Sequence, residues 1–262
     1  MWKEIRNLLA FLTVLPLRMD MDCLKDSANL MFLFPIVGAS IGSLAGLFGW
    51  AVSLFVPSLV AGALILGVIL LFTGLHHTDG LLDFGDAAMY HGTAERKIEI
   101  MHDQLTGAGA LGLGIITYLV TALAFGELNK SVAINGVAFP VILPAVIVVE
   151  LSAKLSMVVV AWAGSPVHKG MSSSFLDSMH SKFGDARLIA ALALSIAVAV
   201  PLLGLAGSWL AGFIIVIVSV FAGLVMVAIA HRHFKGVTGD VLGATNELAR
   251  MVCVVVLLAM LR

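Results

Sequence analysis

The densest group of chemically active side chains lies between residues 76 and 86, where three aspartates follow two histidines. Asp83 and Asp86 come four and seven residues after Asp79, so on a helix all three share one face. Carboxylates held that close repel one another unless a cation joins them. The fitting cation for oxygen ligands alone is Mg²⁺, or Mn²⁺, commonly bound through a couple of carboxylates plus substrate phosphates. The spacing therefore predicts a metal site for a phosphorylated or diphosphate substrate, against the alternative of a solvated loop face.

Other candidate ligands lie elsewhere in the chain, and each has a purely structural alternative. Asp103 either completes the acidic cluster or faces water. Asp240, Asn246 and Glu247 either supply further oxygens to a metal or serve structure only. For Glu247, the structural alternative is an ion pair with Arg250, three residues later.

The histidines and one loop are weaker signals. His76 and His77 lack a third soft ligand at the spacing of a zinc site, so hydrogen bonding or phosphate contact is the better interpretation. Residues 164–174 combine small residues, exposed amides and Lys169, which suits phosphate binding but equally an ordinary turn.

The composition indicates what kind of scaffold must position these residues. Of the 262 residues, 60% are hydrophobic and 12% are charged, whereas a soluble domain carries about 25% charged residues. The mean hydropathy is +1.08. These values exclude a soluble globule and a disordered chain. The formal charge of −1 gives no case for a nucleic-acid partner.

Long charge-free runs predict an all-α, polytopic membrane protein with a single domain over residues 1–262. Residues 27–78 contain no Asp, Glu, Lys or Arg, and as one helix they would measure about 78 Å against a hydrocarbon core of about 30 Å. They must cross twice, with a break at Pro57. The run 188–231 also holds two crossings, with a break at residues 204–208. Further spans are expected at about 107–126, at about 136–163, and from near Val241 or Asn246 to Leu261. The total is about seven helices, with six as the alternative.

Charge distribution predicts which face carries the chemistry. Residues 1–17 form an amphipathic segment, interpreted as an interfacial helix rather than a signal peptide because no small-residue cleavage site follows. With seven spans, 11 of the 15 Lys and Arg residues lie on the side of the N-terminus, which the positive-inside rule makes cytoplasmic. All eight histidines lie in loops of that side. Within a span, Glu150 and Lys154 are expected to pair with each other.

Several motifs together resemble the cobalamin synthase family, the adenosylcobinamide-GDP ribazoletransferases. The strongest is His77-Thr-Asp-Gly-Leu-Leu-Asp-Phe-Gly-Asp86, followed by Ile100-Met-His-Asp103 and Gly107. A second is Thr238-Gly-Asp-Val-Leu-Gly-Ala-Thr-Asn-Glu247. The segments Phe11-Leu-Thr-Val-Leu-Pro16 and Phe34-Pro-Ile-Val-Gly38 are also similar to the family, so the resemblance covers nearly the whole chain.

The resemblance implies a Mg²⁺-dependent transferase of the cell membrane. It would join adenosylcobinamide-GDP to α-ribazole or its 5′-phosphate, release GMP, and complete the nucleotide loop of cobalamin. The implied catalytic residues are Asp79, Asp83, Asp86, Asp103 and His77. The implied metal ligands are Asp79, Asp83, Asp86, Asp103, Asp240 and Glu247. The implied substrate contacts are Arg96, Lys97, His168, Lys169, Arg232, Lys235 and Asn246.

The sequence departs from the family pattern at two points. The family commonly has Asp-Ser-Arg where this chain has Asp103-Gln-Leu, so a phosphate contact from that arginine is missing and Arg96 or Lys97 is the expected substitute. The glycine that often follows the third aspartate is Ala87 here.

Other functions remain as alternatives at this stage. CDP-alcohol phosphotransferases have Ala-Arg after their first Asp-Gly, and membrane prenyltransferases have two Asp-rich loops, neither of which is reproduced here. A transporter would predict broken helices and charges near the membrane midplane. The expected partners are the two substrates and the lipid bilayer, and the sequence leaves a homo-oligomer open.

Overall fold

The computed structural model describes residues 2–129, 131–134 and 137–261. Within these ranges most residues are helical, which confirms the predicted all-α class, and one pair of short strands was not predicted from the sequence. The helices are α1 Trp2–Leu12, α2 Cys23–Asn29, α3 Phe34–Val52, α4 Ser58–Phe72, α5 His76–Met89, α6 Ala94–Met101, α7 Ala108–Glu127, α8 Ile142–Ala163, α9 Met171–Met179, α10 Gly184–Leu205, α11 Trp209–Phe234 and α12 Gly239–Met260. Strands β1 Ser131–Ile134 and β2 Val137–Pro140 pair antiparallel, with Ser131 opposite Pro140.

The structure confirms a multi-pass membrane protein. Among the described residues, six helices are long and apolar enough to cross a membrane: α3 with the 3₁₀ turn before it, α7, α8, α10, α11 and α12. The predicted breaks are confirmed, because α4 begins directly after Pro57 and α10 and α11 are separated by residues 206–208. The span expected from about residue 136 instead begins at α8, after the hairpin.

Helices α4 and α5 pass the same test only as a pair, with a bend of 98° between them, so the described residues hold six crossings, or up to seven if this pair is counted as one. Gly62 of α4 packs against the backbone of Gly126, near the end of α7. The Tyr118 hydroxyl, half-way along α7, donates a hydrogen bond to Thr78 Oγ1 over 2.9 Å. Gly85 of α5 packs against Gly109 at the start of α7. These contacts place α4 against the end of α7 and α5 against its start.

The bend lies at Gly74 and Leu75, which both have left-handed backbones with φ of 65° and 61°. Glycine adopts this conformation freely, whereas leucine pays roughly 1–2 kcal/mol for it. The amide of Val14 donates to the carbonyl of Phe72 over 2.9 Å, so the segment after α1 braces the end of α4. Because the chain bends here, α5 runs in a different direction from α4.

Helix α8 is the centre of the bundle, and 94% of its most apolar 18-residue segment is buried inside the protein. It carries Glu150 and Lys154, both fully buried. The expected pairing of these two with each other is corrected, because each bonds to α12 instead. Arg250 Nη2 donates to Glu150 Oε2 over 3.2 Å, and Lys154 Nζ donates to Asn246 Oδ1 over 2.7 Å.

The N-terminal segment is helical, as its amphipathic pattern predicts, and part of its apolar face packs on the protein itself. Leu8 and Leu12 are buried, whereas Trp2 is 76% exposed. Phe11 stacks on Phe175 of α9 with ring centroids 5.3 Å apart. Helix α1 therefore forms part of the wall at one end of the bundle.

Candidate active site

Four carboxylates line one cavity of about 330 Å³ at the end of the bundle. Asp79 and Asp83 come from α5, Asp103 from the loop after α6, and Asp240 from the first turn of α12. The remaining lining residues are Leu82, Met101, His102, Gln104, Leu105 and Thr106. Residues that are distant in sequence thus meet where the sequence analysis expects the chemistry.

A close crossing of α5 and α12 brings the carboxylates together. A Cβ added to Gly80 would lie 2.9 Å from the carbonyl oxygen of Asp240 and 3.2 Å from the Cα of Gly243. Only a glycine lets two helix backbones approach so closely. Because Asp79 precedes Gly80 directly, this contact places it beside Asp240.

The end of α6 is held against the start of α12. The Thr238 side chain caps α12 by accepting the amide of Val241 over 3.2 Å. The same hydroxyl donates to the sulfur of Met101, also over 3.2 Å. This contact positions the loop that carries Asp103.

Two loops on the same face are joined by backbone hydrogen bonds. The amide of Val237 donates to the carbonyl of Ser165 over 2.8 Å, and the amide of Val167 donates to the carbonyl of Val237 over 3.3 Å. The next residue, His168, packs edge-on against His102 with ring centroids 5.9 Å apart. Because His102 lines the acidic cavity, His168 lies at its rim.

Asp86 does not line this cavity, in contrast to the expected face of three aspartates. Its two carboxylate oxygens accept the amides of Gly107 over 2.6 Å and of Ala110 over 2.9 Å, at the start of α7. A carboxylate that accepts free amides at a helix N-terminus stabilises that helix by hydrogen bonding and by the helix dipole. The structure thus gives Asp86 a capping contact.

Asn246 and Glu247 also lie away from the cavity, buried between α8 and α12. Asn246 accepts from Lys154 and donates to Glu247 Oε1 over 2.9 Å, while Glu247 pairs with Arg250. These contacts correspond to the structural alternative for Glu247. Asn246 and Glu247 therefore connect α8 to α12 and do not belong to the group of carboxylates that lines the cavity.

Helix α6 carries two exposed ion pairs that use two of the basic residues predicted from the sequence, Arg96 and Lys235. Arg96 pairs with Glu99 over 2.6 Å, and Lys235 at the end of α11 pairs with Glu95 over 2.5 Å. The Lys235 ammonium lowers the pKa of the Glu95 carboxyl to about 2. These contacts link α6 to α11 and hold the loop after α11 near the site.

The other predicted substrate contacts differ in accessibility. Lys97 is buried, and its Nζ lies 2.7 Å from Nδ1 of His233. His168, Lys169 and Arg232 are exposed. The exposed three are therefore the basic candidates that a ligand in the cavity can reach without breaking a buried contact.

A second cavity, of about 370 Å³, shares Asp240 with the first. Methionine and phenylalanine side chains form much of its wall, and α12 contributes four lining residues, together with His76 and His77 from α5. His77 is only 8% exposed, and its Nδ1 has no hydrogen-bond partner among the described residues. Sequence reasoning missed this cavity, although the motif that contains Gly239 and Asp240 pointed to one of its walls.

The donor set can be compared with the expected magnesium site. No group of three or more His, Cys, Asp or Glu side chains in the described ranges could hold a metal ion alone. Magnesium is commonly held by one or two carboxylates, with substrate phosphates and water completing its shell. Four carboxylates around one cavity fit an ion shared with a phosphate-bearing substrate, and they do not fit an ion enclosed by protein ligands.

Comparison with known proteins identifies the family. Residues 4–258 match the family described as cobalamin-5-phosphate synthase. A relative from Methanococcoides burtonii, named adenosylcobinamide-GDP ribazoletransferase, is 32% identical over 97% of this chain and 90% of its own length. Relatives of the same name from Halorubrum lacusprofundi and Methanocella arvoryzae are 32% and 31% identical over 94% and 98% of this chain, and over 93% and 96% of their own lengths. No solved structure matches. The chain belongs to the cobalamin-5-phosphate synthase family.

Family membership decides among the alternative functions where helix geometry does not. The bend between α4 and α5 and the buried charges of α8 and α12 are features that a transporter would also have. The match over residues 4–258 nevertheless assigns the chain to a family of enzymes.

Proposed function

We propose that this protein is an adenosylcobinamide-GDP ribazoletransferase. It joins the adenosylcobinamide-phosphate part of adenosylcobinamide-GDP to α-ribazole or its 5′-phosphate and releases GMP. The observation that carries the proposal is the cavity in which Asp79, Asp83, Asp103 and Asp240 meet, in a chain whose family match covers residues 4–258.

Four carboxylates around one cavity suit a reaction in which a nucleotide is the leaving group from a diphosphate. We assign Mg²⁺, with Mn²⁺ as a substitute, to the carboxylates of Asp79 and Asp83. Asp103 and Asp240 line the same cavity beside these two ligands. When bound, the ion neutralises charge that develops on the departing phosphate. Asp86 and Glu247 are omitted because neither lines the cavity.

The remaining residues bind and orient the substrates. The transfer forms a bond from an acceptor hydroxyl oxygen to phosphorus and breaks the bond from phosphorus to the GMP oxygen, so the hydroxyl must lose a proton. Asp240 faces both cavities and is placed to orient that hydroxyl and take its proton. His168, Lys169 and Arg232 are exposed on the same face and supply contacts to the phosphates.

We place this reaction at the cytoplasmic face of the cell membrane. The side that carries the cavity also carries 11 of the 15 Lys and Arg residues, and short loops rich in these residues stay in the cytoplasm. A multi-pass protein keeps such a site next to the lipid bilayer, which suits a large substrate with apolar parts.

The proposal is tested by GMP release from adenosylcobinamide-GDP and α-ribazole with detergent-purified protein. We expect release to require Mg²⁺ and to fall at least 100-fold in Asp83→Asn, which keeps the size of the side chain but removes its charge. The matched control is Asp177→Asn, at an exposed aspartate of α9 that does not line either cavity. No GMP release by the wild type contradicts the proposed reaction, and an active Asp83→Asn protein contradicts the metal assignment.

A further inference from the structure

The second cavity has a lining that calls for a mostly apolar ligand. Met31, Met157, Phe34 and Phe175 contribute to its walls, and the rings of Phe34 and Phe175 meet edge-on with centroids 5.8 Å apart. Methionine side chains adapt to irregular ligands, and aromatic edges favour contact with another aromatic ring. The cavity, of about 370 Å³, lies in the size range of small-molecule sites.

One polar atom in this lining is unused. His77 is more than nine-tenths buried, and its Nδ1 has no partner among the described residues. A buried nitrogen without a hydrogen bond costs roughly 1–3 kcal/mol unless a ligand or water satisfies it. The lining therefore asks for a ligand with a hydrogen-bonding atom on an otherwise apolar frame.

We propose that this cavity binds the heteroaromatic base of the acceptor nucleoside, an inference that rests on the proposed function. A bicyclic azole presents flat apolar faces to the methionines and phenylalanines, and one ring nitrogen to His77. Asp240 lies on the wall common to both cavities, so the ribose of a base held here extends towards the four carboxylates.

The donor's larger parts fit this cavity poorly. Guanine carries several hydrogen-bonding groups, and the described lining offers the side chains of His76, His77, Asp240 and Ser172 at its polar positions. A corrin macrocycle is too large for a cavity of about 370 Å³ that is enclosed by α1, α8 and α9. The acceptor base is the substrate part whose size and polarity match.

Gly239 allows the cavity to be filled without a clash. It lines the cavity, and a Cβ added there meets no atom within 4 Å. Gly239→Leu therefore places an isobutyl group in open space at the wall of the cavity. The matched control is Gly112→Leu, on the exposed side of α7, where an added Cβ also meets nothing within 4 Å.

We expect Gly239→Leu to raise the KM for α-ribazole at least tenfold and to leave the KM for adenosylcobinamide-GDP unchanged. Direct titration of the purified protein with α-ribazole should show the same weakening without any turnover. Gly112→Leu should match the wild type in both measurements. Met171→Trp, at a 63% exposed residue on the cavity rim, gives a second blocking variant that does not alter α12.

The outcomes separate this inference from the proposed function. Wild-type protein that releases GMP, with both blocking variants unchanged in α-ribazole affinity, overturns the inference alone. A rise in the KM for adenosylcobinamide-GDP instead of α-ribazole also overturns it, because the cavity then holds the donor. Wild-type protein that releases no GMP overturns the proposed function, whatever the blocking variants bind.

Discussion

At the residue scale, the three aspartates of the α5 motif divide into two kinds. Asp79 and Asp83 line the cavity with Asp240, whereas Asp86 accepts two amides at the start of α7. A helical face calculated from spacing groups all three, because it contains no information about α7. The sequence therefore predicted where the carboxylates lie along α5, and the neighbouring helix decides which of them are free for a ligand.

Asp86→Asn should destabilise the protein without changing its metal dependence. The amide group keeps one acceptor oxygen for two backbone donors, and loss of a cap costs roughly 0.5–2 kcal/mol. We expect a lower thermal midpoint in detergent for Asp86→Asn. Asp83→Asn removes one of several neighbouring carboxylate charges and should unfold at the wild-type temperature or above it.

The residual activity of Asp86→Asn should reach half of its maximum at the wild-type Mg²⁺ concentration. A higher Mg²⁺ requirement with an unchanged thermal midpoint would return Asp86 to the metal site and contradict the capping role.

At the element scale, the lengths of the apolar runs predicted most of the helices. Run length did not predict the bend between α4 and α5 or the residue at which α8 begins. A run of 52 residues must break once, and Pro57 marks that point. The second break, at Gly74 and Leu75, lies inside the same run and is not required by length. Similarly, the span expected from about residue 136 begins later because β2 occupies Val137–Pro140.

The crossing of α5 over α12 is the element contact on which the cavity depends, and Gly80→Ala should disrupt it. The added methyl would lie 2.9 Å from the carbonyl oxygen of Asp240, and backbone cannot move aside without shifting a helix. We expect at least a tenfold loss of GMP release, because small displacements of reacting groups reduce rates strongly.

The control for Gly80→Ala is Gly112→Ala, where an added Cβ meets nothing within 4 Å. Both changes replace glycine by alanine within a helix, so both gain the same helix propensity of about 1 kcal/mol. Equal activity of the two variants would show that α5 and α12 can separate without harm to the site.

At the scale of the whole molecule, the charged residues show two patterns: an excess of Lys and Arg on one side, and a buried network between α8 and α12. Only the first can be recognised from the sequence. The excess of Lys and Arg on one side is visible from the sequence, because it needs only the order of the spans. The buried network of α8 and α12 is not, because Glu150 and Arg250 are 100 residues apart. Each buried charge there has a partner of opposite sign or a polar partner, which is the condition for keeping charges inside a membrane bundle.

The orientation of the molecule is open to a direct labelling measurement, because both native cysteines, Cys23 and Cys253, are buried. Lys182→Cys places a thiol in the loop between α9 and α10, on the side of the acidic cavity. Phe55→Cys places one between α3 and α4, at a residue that is 86% exposed. A membrane-impermeant maleimide should label only Phe55→Cys in right-side-out vesicles and only Lys182→Cys in inverted ones. The reverse pattern would put the carboxylates outside the cell, away from cytoplasmic nucleotides and Mg²⁺, and would contradict the proposed location of the reaction.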